Sequence, residues 1–332
     1  MLYKNYVGID VSKLSLDVFI RGANLHRNFK NDNSGFTLLV HWLKEHIIGS
    51  WESLLICFEH TGLYSLSLAQ FLEQKGISYA MVPALEIKRS LGITRGKSDL
   101  VDAKRIAEFA YRFNDKLEPS RLPSKDIQKL HFLLTMRNKM MVDIAGYTMA
   151  QKELFRVVPI GDLPTIAVSY QNTLNTLKNE VHRIEREIRM TISSNKTLKT
   201  TFELVTTVKG IGFVVASFLI VYTCNFTRFK DWRKFACYSG IAPFEHQSGT
   251  SVRGRTQVSA IANQQAKRLL HLSAMAAIHF DSELREYYVR RQREGKSKMA
   301  TINIVRNKLL ARVFAVVKRG TPFVDTHRYA NT

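Results

Sequence analysis

The stretch that decides the fold is Tyr6-Val7-Gly8-Ile9-Asp10-Val11-Ser12, near the start of the chain. Its apolar, β-branched residues predict a buried strand that carries one carboxylate, Asp10, to its end. A second strand-like run, Leu14-Ser15-Leu16-Asp17-Val18-Phe19, follows almost at once. A carboxylate at the end of a buried strand is costly unless it is paired or holds a metal ion. Asp10 is therefore predicted to be the first ligand of a metal-dependent, nuclease-type site.

Residues 1–115 predict an α/β domain. Strands are expected at 6–11, 14–20 and about 26–30, and helices then alternate with strands up to about residue 112. Three opening strands followed by such alternation are the ribonuclease H-like, or RuvC-like, layout. The alternative, a plain doubly wound domain, lacks the opening three-strand meander.

The rest of the chain predicts an all-α architecture. Residues 124–195 hold few glycines and prolines, so they predict two long helices joined by a turn. This helical coiled-coil hairpin either packs internally or joins two protomers, and the joining role is the favoured interpretation. Residues 198–325 predict a mainly helical C-terminal domain, and 326–332 a frayed tail. An a/d heptad seam in the second helix is formed by Leu174, Leu177, Val181, Ile184 and Ile188.

Charge divides the chain in the same way. The net charge is +21, yet residues 1–115 hold 14 basic and 12 acidic side chains, whereas the remainder holds 35 and 16. A strongly basic remainder is typical of a surface that neutralises phosphates. No apolar run is long enough to span a bilayer, and the start of the chain does not have the pattern of a signal peptide. Three scattered cysteines fit a reducing cytoplasm.

Four carboxylates from three elements form the first candidate site. Asp10 and Glu59 end predicted strands, and Asp99 and Asp102 lie three apart on one predicted helix, so they point the same way. Each alone has an ordinary explanation as a turn, cap or helix-start residue. Together they predict a site for Mg²⁺ or Mn²⁺, which oxygen ligands favour, and two such ions can promote phosphodiester cleavage. No other cofactor is predicted.

Two glycine-containing loops in the C-terminal domain predict contacts with phosphates. The first, at 207–212, precedes an apolar helix and resembles half of a helix-hairpin-helix motif, with a tight interhelical turn as the alternative. The second is a long loop at 238–255, rich in glycine, hydroxyl groups and arginine. Ser248 lies in it, and its spacing alone favours a polar turn residue. The residues predicted to contact nucleic acid are Lys209, Gly210, Gly212, Arg253, Arg255, Lys267, Arg268, Arg290, Arg291 and Arg293.

These motifs resemble the DEDD transposases of the IS110 insertion-sequence family, to which the pilin-gene inversion recombinases also belong. The N-terminal resemblance lies in Gly8-Ile9-Asp10-Val11-Ser12-Lys13, Glu59-His60-Thr61-Gly62 and Lys97-Ser98-Asp99-Leu100-Val101-Asp102-Ala103. The C-terminal resemblance lies in Val208-Lys209-Gly210-Ile211-Gly212, Gly240-Ile241-Ala242-Pro243 and Gln247-Ser248-Gly249. The sequence departs from the family pattern at Ser259-Ala260-Ile261-Ala262-Asn263, where a basic residue and a glycine are common.

The resemblance implies an enzyme that cuts and rejoins DNA, as a transposase or site-specific recombinase. It implies that Asp10, Glu59, Asp99 and Asp102 bind the catalytic metal, and that Ser248 attacks DNA to form a phosphoserine link. It also implies a homo-oligomer, dimer or tetramer, and a noncoding guide (bridge) RNA. Such a protein is expected in the cytoplasm of a bacterium or archaeon, at the nucleoid and not at a membrane. Two alternatives stay open: a RuvC-like junction resolvase using metal-activated water, and a non-catalytic nucleic-acid-binding protein.

Overall fold

The computed structural model describes residues 3–90, 92, 98–229, 231–248 and 252–325, and leaves the side chains of 246–248, 252, 253, 255 and 256 undescribed. The chain divides into two compact units, Met1–Leu122 and Pro123–Thr332. Lys97 of the quoted motif and the predicted tail at 326–332 lie outside the described residues.

The first unit is an α/β layer structure around a five-stranded sheet. Its strands run in the order β3-β2-β1-β4-β5, with β1, β2 and β3 antiparallel and β1, β4 and β5 parallel. The three opening strands and the later alternation were both predicted. The elements are β1 (Asn5–Val11), β2 (Ser15–Ile20), β3 (Leu25–Lys30), α1 (Asn33–His46), β4 (Leu54–Glu59), α2 (Leu63–Gln74), β5 (Tyr79–Val82), α3 (Ala84–Ser90) and α4 (Asp99–Arg112).

Burial explains why β1 and β4 are central. Both are buried over nearly their whole length, as expected for strands covered on both faces of a sheet. One face packs on α1 and α2 through residues such as Phe36, Leu39 and Leu68, which are buried. The other face packs on α4 through Ile106 and Phe109.

The second unit is mainly helical, as predicted. The long helices α5 and α6 form the predicted helical hairpin, and Ile188 of the heptad seam is fully buried with Leu130 of α5 and Ile220 of α8. The hairpin therefore packs partly inside its own unit. The elements are α5 (Lys125–Val157), α6 (Pro164–Ser194), α7 (Lys196–Thr206), α8 (Phe213–Tyr222), α9 (Trp232–Tyr238), β6 (Pro243–Ser248), β7 (Val252–Val258), α10 (Gln264–Phe280), α11 (Ser282–Arg293) and α12 (Lys298–Arg319).

One local prediction is wrong. The stretch expected to be a long loop at 238–255 contains β6 and most of β7, which pair as an antiparallel hairpin from Pro243↔Val258 to Ser248↔Val252, with a register shift between Phe244 and His246. Backbone hydrogen bonds between the two segments form regular strands, which the amino-acid composition did not indicate. None of the helices in the described part of the chain is long and apolar enough to cross a membrane.

Candidate functional site

Two parallel strands bring the first two carboxylates to one edge of the sheet. The β1–β4 ladder pairs Ile9 with Phe58, and Asp10 and Glu59 are the residues that follow in each strand. Because the carboxyl ends of neighbouring parallel strands meet at the same edge, these two side chains are neighbours. Both are half-buried, so each ionised carboxylate loses part of its hydration.

Helix α4 carries the other two carboxylates. It begins at Asp99 because Ser98 caps it, its hydroxyl accepting a hydrogen bond from the Val101 N–H at 3.3 Å. Asp99 and Asp102 both lie in the first turn, where the helix dipole favours negative charge. The helix bounds, Asp99 to Arg112, are those predicted.

Gly8 sets the distance between α4 and β1. A Cβ on Gly8 would stand 2.2 Å from the Ala103 carbonyl oxygen and 2.3 Å from the Ala107 nitrogen. Backbone therefore lies directly on backbone, which only a glycine allows. Gly8 and Asp10 are two apart in the strand and face the same side, so Asp10 faces α4.

Burial and neighbouring charges both act on the carboxyls of Asp10 and Glu59. The pKa of the Asp10 carboxyl is raised from 3.8 to about 6, and burial is the largest cause. The other three candidate carboxylates add to that rise, in decreasing order Asp102, Asp99 and Glu59. Burial, followed by the charge of Asp102, also raises the pKa of Glu59. The structure thus brings together all four residues that the sequence singled out.

The donor chemistry fits a divalent cation. Four carboxylates are a hard-oxygen set of the kind that Mg²⁺ and Mn²⁺ prefer. The side chains are not closed into a ligand shell: within the described ranges, no group of three or more His, Cys, Asp or Glu residues could hold a metal ion as placed. One of the four, Asp102, pairs instead with the Arg105 Nη1 at 2.9 Å.

Asp17 is a fifth carboxylate at this face that the sequence did not single out. It lies directly opposite Asp10 in the β1–β2 ladder and is 8% exposed. Its two oxygens accept hydrogen bonds from His26 Nε2 and Asn28 Nδ2, both at 2.9 Å. Asp17 also contributes to the raised pKa of Asp10. The signal that could have found it is cross-strand register, which the sequence specifies only once the hairpin turn is known.

The glycine loop after α7 is held by packing. Gly210 has φ +93°, and a Cβ there would stand 2.7 Å from both Ala277 Cβ and the Ser273 carbonyl oxygen in α10. The Lys209 Nζ makes an ion pair with Asp325. Gly212, the N-cap of α8, has open space beside it. This geometry fits the alternative of a tight interhelical turn for Gly210.

The predicted basic residues of α10 and α11 are spread along two helices. Arg290 and Arg291 both pair with Glu294, at 3.8 Å and 2.6 Å, and Arg290 is the more exposed of the two. Tyr287 lies among cations, with Lys308 Nζ 4.4 Å from its ring centroid. Lys267 is half-buried, Arg293 is exposed, and Arg268 donates to Asn138 at 2.7 Å.

Ser248 is the last residue of β6, in the second unit. Its backbone pairs with Val252. The side chains of Ser248, Arg253 and Arg255 lie outside what the structure describes.

Comparison with known proteins identifies both halves of the chain. A transposase family model for the DEDD transposases of IS110 type matches residues 7–152, and a model described as "Transposase IS116/IS110/IS902 family" matches residues 202–289. The pilin gene-inverting proteins of Moraxella bovis and Moraxella lacunata are each 26% identical over 328 residues, covering 96% of this chain and 98% of theirs. An uncharacterised 43.6 kDa protein of insertion element IS110 from Streptomyces coelicolor is 28% identical over 166 residues, covering 50% of this chain and 40% of its own. The chain therefore belongs to the IS110 family of transposases and is a DNA recombination enzyme.

Proposed function

We propose that this transposase cuts and rejoins DNA with divalent metal ions, Mg²⁺ or Mn²⁺, held by Asp10, Glu59, Asp99 and Asp102. The observation that carries the proposal is that Asp102, Asp99 and Glu59 lie near enough to Asp10 to raise its pKa. Carboxylates that repel one another at neutral pH favour cation binding. When bound, the metal would supply positive charge to the phosphodiester that is being cleaved.

We infer a ribonuclease H-like fold for the first unit. Three antiparallel strands followed by two parallel ones, in the order β3-β2-β1-β4-β5, support that assignment. The positions of the four carboxylates also support it. Two of them end parallel strands and two lie at the start of a helix, and these are the acidic residues of the motifs that the chain shares with the family.

Ser248 is proposed as the nucleophile. Its Oγ would form a bond to phosphorus, the bond between phosphorus and the leaving sugar oxygen would break, and the serine proton would end on that oxygen. The products are a phosphoserine-linked strand and a strand with a free hydroxyl. The match of Gln247-Ser248-Gly249 to the family motif supports this role, as does its place in a strongly basic unit.

The partners are proposed to be DNA, a guide noncoding RNA and further copies of the same chain, in a bacterial or archaeal cytoplasm. The excess of basic side chains after residue 115 supports nucleic-acid binding. Exposed apolar side chains on α5 and α6 support assembly into a dimer or tetramer. They include Phe132, Met136, Val142, Tyr147, Met149, Ile166 and Val168.

A trapping experiment tests the chemistry. The protein is incubated with labelled donor and target DNA, with Mg²⁺ and with RNA from the flanking element, and the products are resolved on a denaturing gel. We expect a covalent protein–DNA adduct from the wild type, none from Ser248→Ala, and none from Asp10→Asn or Asp102→Asn. The matched controls are Ser193→Ala and Asp115→Asn, which change exposed residues.

Three outcomes contradict the proposal in different ways. An adduct with Ser248→Ala rules out this serine. Hydrolysed ends without any adduct indicate the junction-resolvase alternative, in which water attacks. Chelator-insensitive binding with no strand scission indicates a non-catalytic protein.

A further inference from the structure

The hairpin that carries Ser248 has both of its ends fastened together. The incoming end is Tyr238–Ala242 and the outgoing end is 259–263. Gly240, with φ +65°, lies so close to Ala262 that a Cβ on it would be 2.3 Å from the Ala262 Cβ. Asn263 donates its backbone N–H to the Tyr238 carbonyl at 2.9 Å and its side-chain amide to the Tyr238 hydroxyl at 2.8 Å. The hairpin therefore emerges from a fixed base.

Helix α12 is hydrogen-bonded to the incoming end of the hairpin. The side-chain amides of Asn303 and Asn307 both donate to the Ile241 carbonyl oxygen, at 2.9 Å and 3.0 Å. The two residues are one helical turn apart, so their side chains lie on the same face. Ile241 is fully buried, two residues before β6 begins. Two donors on one buried carbonyl fix the direction of its peptide plane.

A buried cation orients one of these amides. Arg306 is 6% exposed, and its Nη1 lies 3.4 Å from the Asn303 Oδ1 while its Nη2 contacts the His271 Nδ1. Burial, followed by the charge of Arg306, lowers the pKa of His271, which favours the neutral ring that can accept this hydrogen bond. Because the Asn303 oxygen faces Arg306, its NH₂ group must face Ile241.

This network contributes little to the stability of the fold. Among the described residues, the side-chain hydrogen-bond partners of Arg306 are neutral, and its buried Nε has no hydrogen-bond partner. A buried charge with neutral partners gives less stability than a well-packed apolar core. What the arrangement gives instead is a fixed orientation at the base of the hairpin.

The distance from the base of the hairpin to Ser248 makes the orientation of that base important. Ser248 is seven residues beyond Ile241, which is about 23 Å along an extended strand. A tilt of about 5° at the base would therefore move Ser248 by about 2 Å. Displacements of about 1 Å can slow a reaction by about 100-fold.

We propose that Asn303 and Asn307 are positioning residues for Ser248, with Arg306 orienting the Asn303 amide. The inference rests on the proposed role of Ser248 as the nucleophile. It assigns to α12 a task in DNA cleavage, although the residues of α12 lie outside both family matches.

The test uses isosteric variants of the full-length protein. Asn303→Asp, Asn307→Asp and the double variant remove the donors to Ile241 without changing side-chain size. The rate of adduct formation is measured in single turnover at saturating DNA, together with the DNA dissociation constant, the adduct amplitude and the melting temperature. Asn175→Asp, at an exposed position on α6, is the matched control.

We expect either single variant to slow adduct formation about 5-fold, because one amide remains, and the double variant to slow it at least 20-fold. DNA affinity and amplitude should stay within twofold of the wild type. Asn303→Asp should melt no lower than the wild type, because its new carboxylate faces the buried Arg306. A merely structural role predicts that rate and stability fall together.

The inference is overturned if the folded double variant forms the adduct within twofold of the wild-type rate, or if only its amplitude falls. If the double variant does not fold, the same rate criterion is applied to the single variants. The serine role is judged separately: if Ser248→Ala still forms the adduct, the proposed nucleophile fails, whatever the asparagine variants do.

Discussion

Replacing Asp10 with asparagine should stabilise the metal-free protein at neutral pH, although it should abolish activity. In the folded chain the Asp10 carboxylate is half-buried and faces Asp102, Asp99 and Glu59. In the unfolded chain it is hydrated and far from other charges. Asparagine has nearly the same shape and no charge, so the substitution removes the repulsion and leaves the packing intact.

The size of the effect follows from the raised pKa. A change from 3.8 to about 6 corresponds to about 3 kcal/mol of stability lost at pH values above both. Asp10 is only half-buried, and solvent screening reduces this to about 1–2 kcal/mol. For a unit of this size, that gain raises the melting temperature by roughly 3–10 °C.

The sign of the pH dependence is fixed by the same shift. A carboxyl whose pKa is higher in the folded state favours folding of the protonated form, so its penalty is absent below pH 3.8 and complete above about pH 6. The stabilisation by Asp10→Asn should therefore grow between pH 4 and 6 and then level off. Added Mg²⁺ should reverse the order, because it stabilises the wild type and not the variant.

The assay is thermal melting in a chelator from pH 4.5 to 8, then with Mg²⁺, with Asp115→Asn as the exposed-carboxylate control. The reasoning is refuted if Asp10→Asn lowers the melting temperature equally at pH 5 and pH 7.5. It is also refuted if Mg²⁺ stabilises both proteins to the same extent.

Three further substitutions test other parts of the structure. Gly8→Ala should lower stability by about 2–3 kcal/mol and weaken Mn²⁺ binding in calorimetry, because α4 must move away from β1, whereas Gly22→Ala, with open space around it, should change neither. Arg312→Ala should lower the free energy of unfolding in urea by about 3–5 kcal/mol. The carboxylate of Asp281 is 1% exposed and would lose its ion-pair partner at 2.8 Å, and a loss below about 1 kcal/mol would contradict this. Arg290→Ala should leave stability unchanged and reduce the slope of log K for DNA against log salt by about 1, and an unchanged slope would mean that it does not contact a phosphate.

The carboxylate site was accessible from the sequence because local signals place it. Continuous apolar runs mark β1 and β4, and each run ends at an acidic residue. Ser98 marks the start of α4, so the bounds of that helix and the phase of its two aspartates follow directly. Long-range pairing was not needed to name these residues.

What the sequence did not predict depends on contacts between distant segments. The hairpin of β6 and β7 was expected to be a loop because its glycines and hydroxyl residues are weak strand formers, and the register that orders it is a property of two segments together. Asn303 and Asn307 resemble an ordinary polar face of an amphipathic helix. Only the fold shows that they face the Ile241 carbonyl.

The close approach at Gly8 has a consequence for evolution and engineering of this enzyme. Main-chain atoms alone separate the strand that carries Asp10 from the helix that carries Asp99 and Asp102. At this point of contact the spacing is set by the main chain, and not by the volume of a side chain that could be exchanged. Substitutions can accumulate elsewhere in the core of the first unit while this main-chain contact keeps the spacing between β1 and α4.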